Sequence, residues 1–311
     1  MPFIQVTVRM FVSSKASSRE VAQTMGVHQS TVVRWTQELG NRCIAPPQAN
    51  DQLHPTWRGI IGIDGKIISV GGHPMVFLIA TDIPTVDIPH WDLVPAEDEA
   101  GCRRFLEGLR DRVFPLHGIV SDLGKGRVWI KLVAELFPDV PHQACIVHFG
   151  RYVQQTLPQS KKHPHYEENQ LLRQLIRDLL YATNFNDAEE IFLRLMRADV
   201  YFKADFQRTV LRSLRKHFDL LTAHFHTPAL DSTNNVTENI IKQLDRKVFL
   251  LSDFATEAAA SNFLKLWVYH YRFKPLAASN YEFRNGLSPL QLAGVDTSRM
   301  EWLNFALKTR S

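Results

Sequence analysis

Three acidic residues stand where their side chains could do chemistry. Asp64 lies within the apolar run IIGIDGKIISV, Asp122 ends the run GIVSD, and Glu238 lies inside TNNVTENIIKQLDRK. Burying a carboxylate at an apolar strand costs free energy unless something compensates, and a bound divalent metal is a strong compensator. Two strand-borne aspartates and a helix-borne glutamate therefore suggest a metal-dependent phosphodiester chemistry.

Other carboxylates compete for such a metal role. Asp82, Asp87 and Asp92 fall at strand ends or in a polar strand, and we expect them to be solvated. We therefore prefer Asp64 and Asp122 as the paired ligands.

The elements that must position these residues begin at residue 58. RGIIGIDGKIISV, PMVFLIATDI and DIPHWDLVPA predict three successive strands, the first two joined by the turn Gly71-Gly72, in an antiparallel meander. Next come a helix in EDEAGCRRFLEGLRDRV, a strand in HGIVSD, a helix in GKGRVWIKLVAELF and a strand in PHQACIVHF. This order resembles the ribonuclease H-like fold, in which the first and fourth strands lie side by side. The resemblance implies that Asp64 and Asp122 are neighbours.

A long helical stretch separates Asp122 from Glu238. Apolar residues recur with helical period across residues 159–230, which predicts an all-helical insertion. In the helix that follows, Glu238, Lys242 and Arg246 form an i, i+4, i+8 row. This row is either a surface ion-pair ladder or a metal ligand followed by two cations that hold DNA phosphates.

The N-terminal residues carry a second motif. In SSREVAQTMGVHQSTVVRW, a capping box at Ser17 and Glu20 starts one helix, and Gly26 suits a tight turn into the next. Val32, Trp35 and Leu39 form the apolar side of that second helix, which leaves its other side exposed, at Gln29, Ser30, Val33 and Arg34. The motif is either a helical hairpin that caps the next domain or a helix-turn-helix that enters the major groove. It closely resembles the helix-turn-helix of bacterial and archaeal transposases and resolvases.

These patterns predict an α/β protein with five segments. They are a helix-turn-helix DNA-binding domain at 1–42, a Pro-, Asn- and Gln-rich linker at 43–57, the first part of a ribonuclease H-like catalytic domain with a mixed sheet at 58–158, the helical insertion at 159–230, and C-terminal helices with a tail at 231–311.

Composition narrows the class of protein. A chain of 311 residues that is 45% hydrophobic and 22% charged is of ordinary globular type. Its three cysteines are widely spaced, and no apolar run approaches the roughly 20 residues that span a bilayer. We expect a cytoplasmic, nucleoid-associated protein with no membrane partner. The net charge of +4 is compatible with a polyanion but too small to argue for one.

With these residues placed, the chain resembles the prokaryotic DDE transposases of insertion sequences, and most closely the Mutator-like members with a helical insertion. The family's two aspartates fall on Asp64 and Asp122, and its glutamate falls on Glu238. Cys145 and His148 match the C-x-x-H motif of Mutator-like relatives. The stretch FLKLWVYHYRFKPL is similar to the tail of many such enzymes, although His270, Lys274 and Leu276 depart from its usual residues.

Supporting roles follow around the triad. One cysteine and one histidine are too few for a structural zinc site, so we expect Cys145 and His148 to support the pocket or to pack in the core, with metal binding by the pair as the lesser alternative. Asn234 and Asn235 are expected to support the site mainly as a helix cap. A basic residue seven positions after the glutamate is common in several such families, and here that position is Asp245.

The resemblance implies a transposase of a mobile element that acts in DNA recombination and integration. Two Mg²⁺ ions, for which Mn²⁺ substitutes, would be held by Asp64, Asp122 and Glu238. The partner would be double-stranded DNA, both transposon ends and target, bound by at least a homodimer. Two alternatives are a catalytically silent DNA-binding regulator and a ribonuclease H-like nuclease.

Overall fold

The chain forms a mixed α/β structure around five strands. The computed structural model describes residues 2–112, 116–123 and 128–307. The strands are β1 (Ile60–Val70), β2 (His73–Asp82), β3 (Asp87–Val94), β4 (Gly118–Ser121) and β5 (His142–Ala144), hydrogen-bonded in the order β3-β2-β1-β4-β5. The predicted succession of three strands, a helix, a strand, a helix and a strand is confirmed.

The sheet is mixed because its strands pair in both senses. β2 runs antiparallel to β3, whereas β1 pairs parallel with β4, and β4 pairs parallel with β5. The expectation that the first and fourth strands lie side by side is therefore confirmed. Gly71 and Gly72, which join β1 to β2, both have positive φ, as a tight turn between two strands requires.

Helices make up most of the remaining described chain. They are α1 (Pro2–Ser13), α2 (Ser18–Met25), α3 (Gln29–Arg42), α4 (Pro46–Leu53), α5 (Glu99–Arg110), α6 (Val128–Leu136), α7 (Ile146–Thr156), α8 (Tyr166–Leu180), α9 (Phe185–Arg197), α10 (Asp205–Thr222), α11 (Asn235–Leu251), α12 (Glu257–Phe273), α13 (Pro289–Leu292) and α14 (Trp302–Ala306), with short 3-10 helices at Ala198–Tyr201, Ala223–Phe225 and Glu282–Arg284. Across the described ranges, no helix is both long enough and apolar enough to cross a membrane.

A helix, α4, occupies part of the segment that its composition suggested was a linker. Proline is tolerated in the first turn of a helix, where its missing N–H has no intrahelical partner, and Pro46 and Pro47 occupy that turn. Ala49 and Leu53, four residues apart, are buried on one face of the helix. The helix has only eight residues and begins with two prolines, so its apolar period is not evident in the sequence.

The chain divides into two compact units. The first unit comprises Met1–Gly59, Asp64–Pro115 and Val236–Ser311, and the second comprises Ile60–Ile63 and Leu116–Asn235. Strand β1 contributes its first four residues to the second unit and the rest to the first.

In the first unit, the N-terminal helices pack together and against a C-terminal helix. α1, α2 and α3 contact one another, and α1 and α3 also contact α12. The predicted capping box is present, because Ser17 and Glu20 exchange hydrogen bonds, and Gly26 ends α2 with φ 66°. Gly40 of α3 lies so close to Asn262 of α12 that a Cβ at this position would stand 2.6 Å from the Asn262 carbonyl oxygen.

In the second unit, helices α7 to α10 share an apolar core. Its fully buried members include Phe149, Leu172, Leu195, Val210 and Leu214. α10 also contacts β5, and the buried amide of Gln143 on β5 donates to the carbonyl oxygen of Leu221 in α10 at 3.1 Å. Within the described part of 159–230 there is no strand, which agrees with the predicted helical insertion.

Candidate functional site

The two aspartates follow residues that pair with each other in the sheet. Ile63 of β1 is the register partner of Ser121 of β4, and the two strands run in parallel. Asp64 and Asp122 are the next residues along each chain segment, and both are half-buried. Asp64 thus follows the part of β1 that pairs with β4, and Asp122 follows the end of β4.

A buried histidine and serine fix the backbone at Asp122. The Ser121 hydroxyl donates to the carbonyl oxygen of Asp122 at 2.8 Å and lies 2.8 Å from Nε2 of His142 on β5. Since the hydroxyl proton is used, Nε2 of His142 is the donor in the second bond. Burial lowers the pKa of His142 to about 4, so the ring is neutral at neutral pH. The end of β4 is therefore held by an uncharged hydrogen-bond chain.

Asn234, just before α11, contacts the β1 backbone directly before Asp64. It is fully buried, and its Nδ2 donates to the carbonyl oxygen of Ile63 at 2.7 Å. Its Oδ1 is buried without a hydrogen-bond partner. The expectation that Asn234 caps the helix is wrong, because a cap must accept from the first-turn N–H groups and this oxygen accepts nothing. Asn235 is the exposed first residue of α11.

Cys145 joins the same buried network. Its backbone N–H donates to the Ser121 carbonyl oxygen at 2.8 Å, and its Sγ accepts from the backbone N–H of Asn234 at 3.3 Å. Burial raises the pKa of the Cys145 thiol, but hydrogen bonds from His148 and from the Asn234 backbone outweigh it, and the pKa lies below its ordinary value. Hydrogen bonds through Asn234 and Cys145 thus connect Ile63 of β1, the end of β4 and the residue that precedes α11.

Glu238 lies in the first turn of α11. It is 7% exposed, and Lys242, one turn later, places its Nζ 3.5 Å from a Glu238 carboxylate oxygen. Arg246, a further turn along, is exposed. The structure therefore contains the first ion pair of the predicted row, between Glu238 and Lys242.

Within the first unit, α11 also contacts β1. Lys66 Nζ lies 2.6 Å from Asp245 Oδ1. Side chains two apart on a strand share a face, so Lys66 lies on the face of β1 that carries Asp64. Asp245 lies seven residues, about two helical turns, after Glu238 and on the same side of α11. Lys66 therefore places a positive charge beside Asp245, the position of α11 at which several related families commonly carry a basic residue.

The rival aspartates have structural partners instead. Asp82 and Asp87 are fully buried, so the expectation that they are solvated is wrong. Asp82 accepts from Thr85 and from the backbone N–H groups of Arg58 and Gly59. Burial raises the pKa of Asp82 above its ordinary value, although these hydrogen bonds oppose the shift.

Asp87 and Asp92 pair with arginines. Asp87 forms a buried ion pair with Arg272, and Asp92 is held by two hydrogen bonds from Arg104 at the surface. These contacts use the carboxylate oxygens that a metal would need.

The outer face of α3 carries the residues expected to meet DNA. Gln29, Ser30 and Arg34 are all exposed. Gln29 donates to Ser18 Oγ at 2.9 Å, and Arg34 lies 3.7 Å from Glu38. On the inner side Val32 and Leu39 are buried as predicted. Trp35 is half-buried and makes an edge-to-face ring contact with Phe3 of α1.

Three residues of this network were not found from the sequence. Ser121 and His142 looked like ordinary strand residues, and Lys66 looked like an exposed strand lysine. The position of Ser121 directly before Asp122 was a usable signal. Nothing in the linear sequence indicates that His142 lies against it, because this depends on the register of β4 and β5.

Comparison with known proteins gives one family. The sequence model described as "Transposase, Mutator family" matches residues 85–273. No curated protein matches the chain. Because the family match covers more than half of the 311 residues, this chain belongs to the Mutator family of transposases.

Proposed function

We propose that this transposase is catalytically active: it binds transposon-end DNA and catalyses metal-dependent cleavage and strand transfer with Asp64, Asp122 and Glu238. The observation that carries the proposal is the parallel register of Ile63 with Ser121, which puts Asp122 directly after β4 and Asp64 directly after the part of β1 that pairs with β4. Carboxylates that come close together repel each other, and a shared divalent cation would relieve that repulsion.

The donor set fits magnesium. Three carboxylates provide hard oxygen ligands, which Mg²⁺ and Mn²⁺ prefer over sulfur or imidazole. The orphaned Oδ1 of Asn234 is a buried acceptor of the kind that a bound hydrated cation satisfies. Two such cations, held by Asp64, Asp122 and Glu238, would supply a water of lowered pKa and would stabilise charge on the leaving 3′-oxygen.

The chain's own residues have distinct parts in this scheme. Asp64 and Asp122 would hold the cations from the sheet, and Glu238 would complete the ligand set from α11. Lys242, which balances the charge of Glu238 at 3.5 Å, and the exposed Arg246 bind DNA phosphates once the site is loaded. Gln29, Ser30 and Arg34 on α3 read the transposon end in the major groove. Synapsis of two ends requires at least a homodimer.

The decisive experiment is metal-dependent cleavage of transposon-end DNA by single variants. We expect Asp64→Asn, Asp122→Asn and Glu238→Gln to lose at least about a thousandfold in cleavage rate, since each removes a ligand charge that stabilises the transition state. The variants should fold and should bind end DNA as the parent does. Asp92→Asn is the matched control, because Asp92 is also a strand aspartate but is paired with Arg104, and it should cleave normally.

The alternatives give different results. A silent regulator binds ends but shows no cleavage in the parent protein with either Mg²⁺ or Mn²⁺. A ribonuclease H-like nuclease cuts DNA or hybrid without regard to the transposon end, and gives no strand-transfer product. Parental cleavage that persists in Asp122→Asn would contradict the assignment of the triad.

A further inference from the structure

We propose that Asn234 is a positioning residue that sets the affinity of the site for its divalent cations. The proposal rests on the proposed function and concerns the same site. Asn234 is not expected to be a cation ligand itself. It acts through the β1 backbone directly before Asp64 and through the start of the helix that carries Glu238.

The first step of the argument is the bond to β1. Asn234 Nδ2 donates to the Ile63 carbonyl oxygen at 2.7 Å, and Ile63 is the residue directly before Asp64. The peptide plane between Ile63 and Asp64 includes this carbonyl, so the bond restrains the backbone from which the Asp64 side chain projects. Outer-shell hydrogen bonds of this kind orient ligands, and their loss commonly lowers metal affinity by about 10- to 100-fold.

The second step is the bond to Cys145. The backbone N–H of Asn234 donates to Cys145 Sγ, and the backbone N–H of Cys145 donates to the carbonyl oxygen of Ser121. Ser121 directly precedes Asp122. One asparagine thus restrains the β1 backbone directly before Asp64 and, through Cys145, the end of β4 directly before Asp122. The same residue starts α11, whose first turn holds Glu238.

The third step is the unused oxygen. Asn234 Oδ1 is buried with no hydrogen-bond partner, while the described hydrogen bonds of the similarly buried Asn169 use both its amide nitrogen and its oxygen. Leaving a buried acceptor unpaired destabilises the folded protein. A purely structural asparagine would be expected to use both ends, as Asn169 does. The orphaned oxygen indicates that the arrangement is completed when the site is loaded.

The test measures Mn²⁺ binding to the full chain without DNA, by electron paramagnetic resonance titration. We expect Asn234→Ala to weaken Mn²⁺ binding by about tenfold or more. Asn234→Asp is the sharper variant, because it keeps the shape but replaces the donor with an acceptor, which cannot bond to the Ile63 carbonyl. It should also weaken Mn²⁺ binding, although its added negative charge by itself would strengthen it.

Asn169→Ala is the matched control: a fully buried asparagine of the second unit that also donates to a carbonyl oxygen. It should lower the melting temperature as Asn234→Ala does, with unchanged Mn²⁺ affinity. Equal Mn²⁺ affinity in the parent, Asn234→Ala and Asn234→Asp, or tighter binding by Asn234→Asp, overturns the proposal.

Asp122→Asn is measured in parallel. If it too keeps parental Mn²⁺ affinity and cleavage, the proposed function fails; if it loses both while the Asn234 variants do not, only the role of Asn234 fails.

Discussion

Arg272 of α12 and Asp87 of β3 form a buried, doubly hydrogen-bonded ion pair. Nε donates to Oδ1 and Nη2 donates to Oδ2, each at 2.8 Å, and the two side chains are 2% and 0% exposed. Trp57 donates to the same carboxylate at 2.9 Å, and Arg272 Nη1 donates to Asn50. Asp87 therefore holds segments of the first unit together and has no free carboxylate edge for catalysis.

Removing one member of this pair should destabilise the protein strongly. We expect Asp87→Asn to lower the free energy of unfolding by about 3–5 kcal/mol, because Arg272 would remain buried without a counter-charge. Urea unfolding monitored by tryptophan fluorescence measures this change in the free energy of unfolding. Asp92→Asn, at the exposed pair with Arg104, should cost about 1 kcal/mol or less. Equal losses in the two variants would contradict this account.

The contact of α3 with α12 should be intolerant of a single added methyl group. A Cβ on Gly40 would lie 2.6 Å from the Asn262 carbonyl oxygen and 2.7 Å from its Cβ, so the two helices would have to move apart. We expect Gly40→Ala to destabilise the protein by about 1–3 kcal/mol despite the better helix propensity of alanine. Gly150→Ala in α7 is the control, since nothing lies within 4 Å of its Cβ position, and it should be neutral or stabilising. Thermal unfolding compares the two, and a neutral Gly40→Ala would show that α3 is not closely packed there.

Local patterns predicted much of this fold. The apolar runs of β1 and β2, the capping box at Ser17 and the left-handed Gly26 are signals within a few residues, and each is present. The pairing of β1 with β4 came from the resemblance of the element order to a known fold. Helix α4 was missed because its eight residues are too few to show a clear period beside two prolines.

Residues that depend on tertiary contacts were harder to predict. The burial of Asp82 and Asp87 needs partners from distant segments, namely the Arg58–Gly59 backbone and Arg272. The position of Asn234 directly before a helix predicts a cap, but its side-chain amide donates to a residue 171 positions earlier in the chain. Strand register and long-range side-chain contacts decide these cases, and neither is a property of a local pattern.

The buried His142 should make stability depend on pH. Burial lowers its pKa to about 4 from an ordinary 6.5, so between these values the unfolded chain binds a proton that the folded chain does not. Stability contributed by the neutral ring is therefore lost as pH falls from 6.5 towards 4. His142→Gln should remove this contribution to the pH dependence of the free energy of unfolding. The difference in unfolding free energy between the parent and the variant should therefore shrink on acidification.

Urea unfolding at pH 7, 6 and 5 measures this difference for His142→Gln. His90→Gln is a second case in the first unit, since burial and Arg112 lower the pKa of His90 to about 3, and its difference should shrink in the same direction. A parent–variant difference that stays constant across this range would mean that His142 titrates normally in the folded protein.

The two proposed DNA-binding surfaces should respond differently to loss of one cation. Arg34 lies on the exposed face of α3 proposed to read bases, and Arg246 lies on α11 where phosphates are proposed to bind. We expect Arg34→Gln to reduce discrimination of end DNA over random DNA by about 1–3 kcal/mol, as the loss of one base contact does. Arg246→Gln should weaken both DNAs alike and reduce the slope of log affinity against log salt by about one. Fluorescence anisotropy with both duplexes over a salt series separates the two effects, and Lys203→Gln, a cation of the helical insertion, serves as the control. If Arg246→Gln altered end preference while Arg34→Gln left it intact, the proposed division between α3 and α11 would be reversed, because a phosphate contact carries no sequence information of its own.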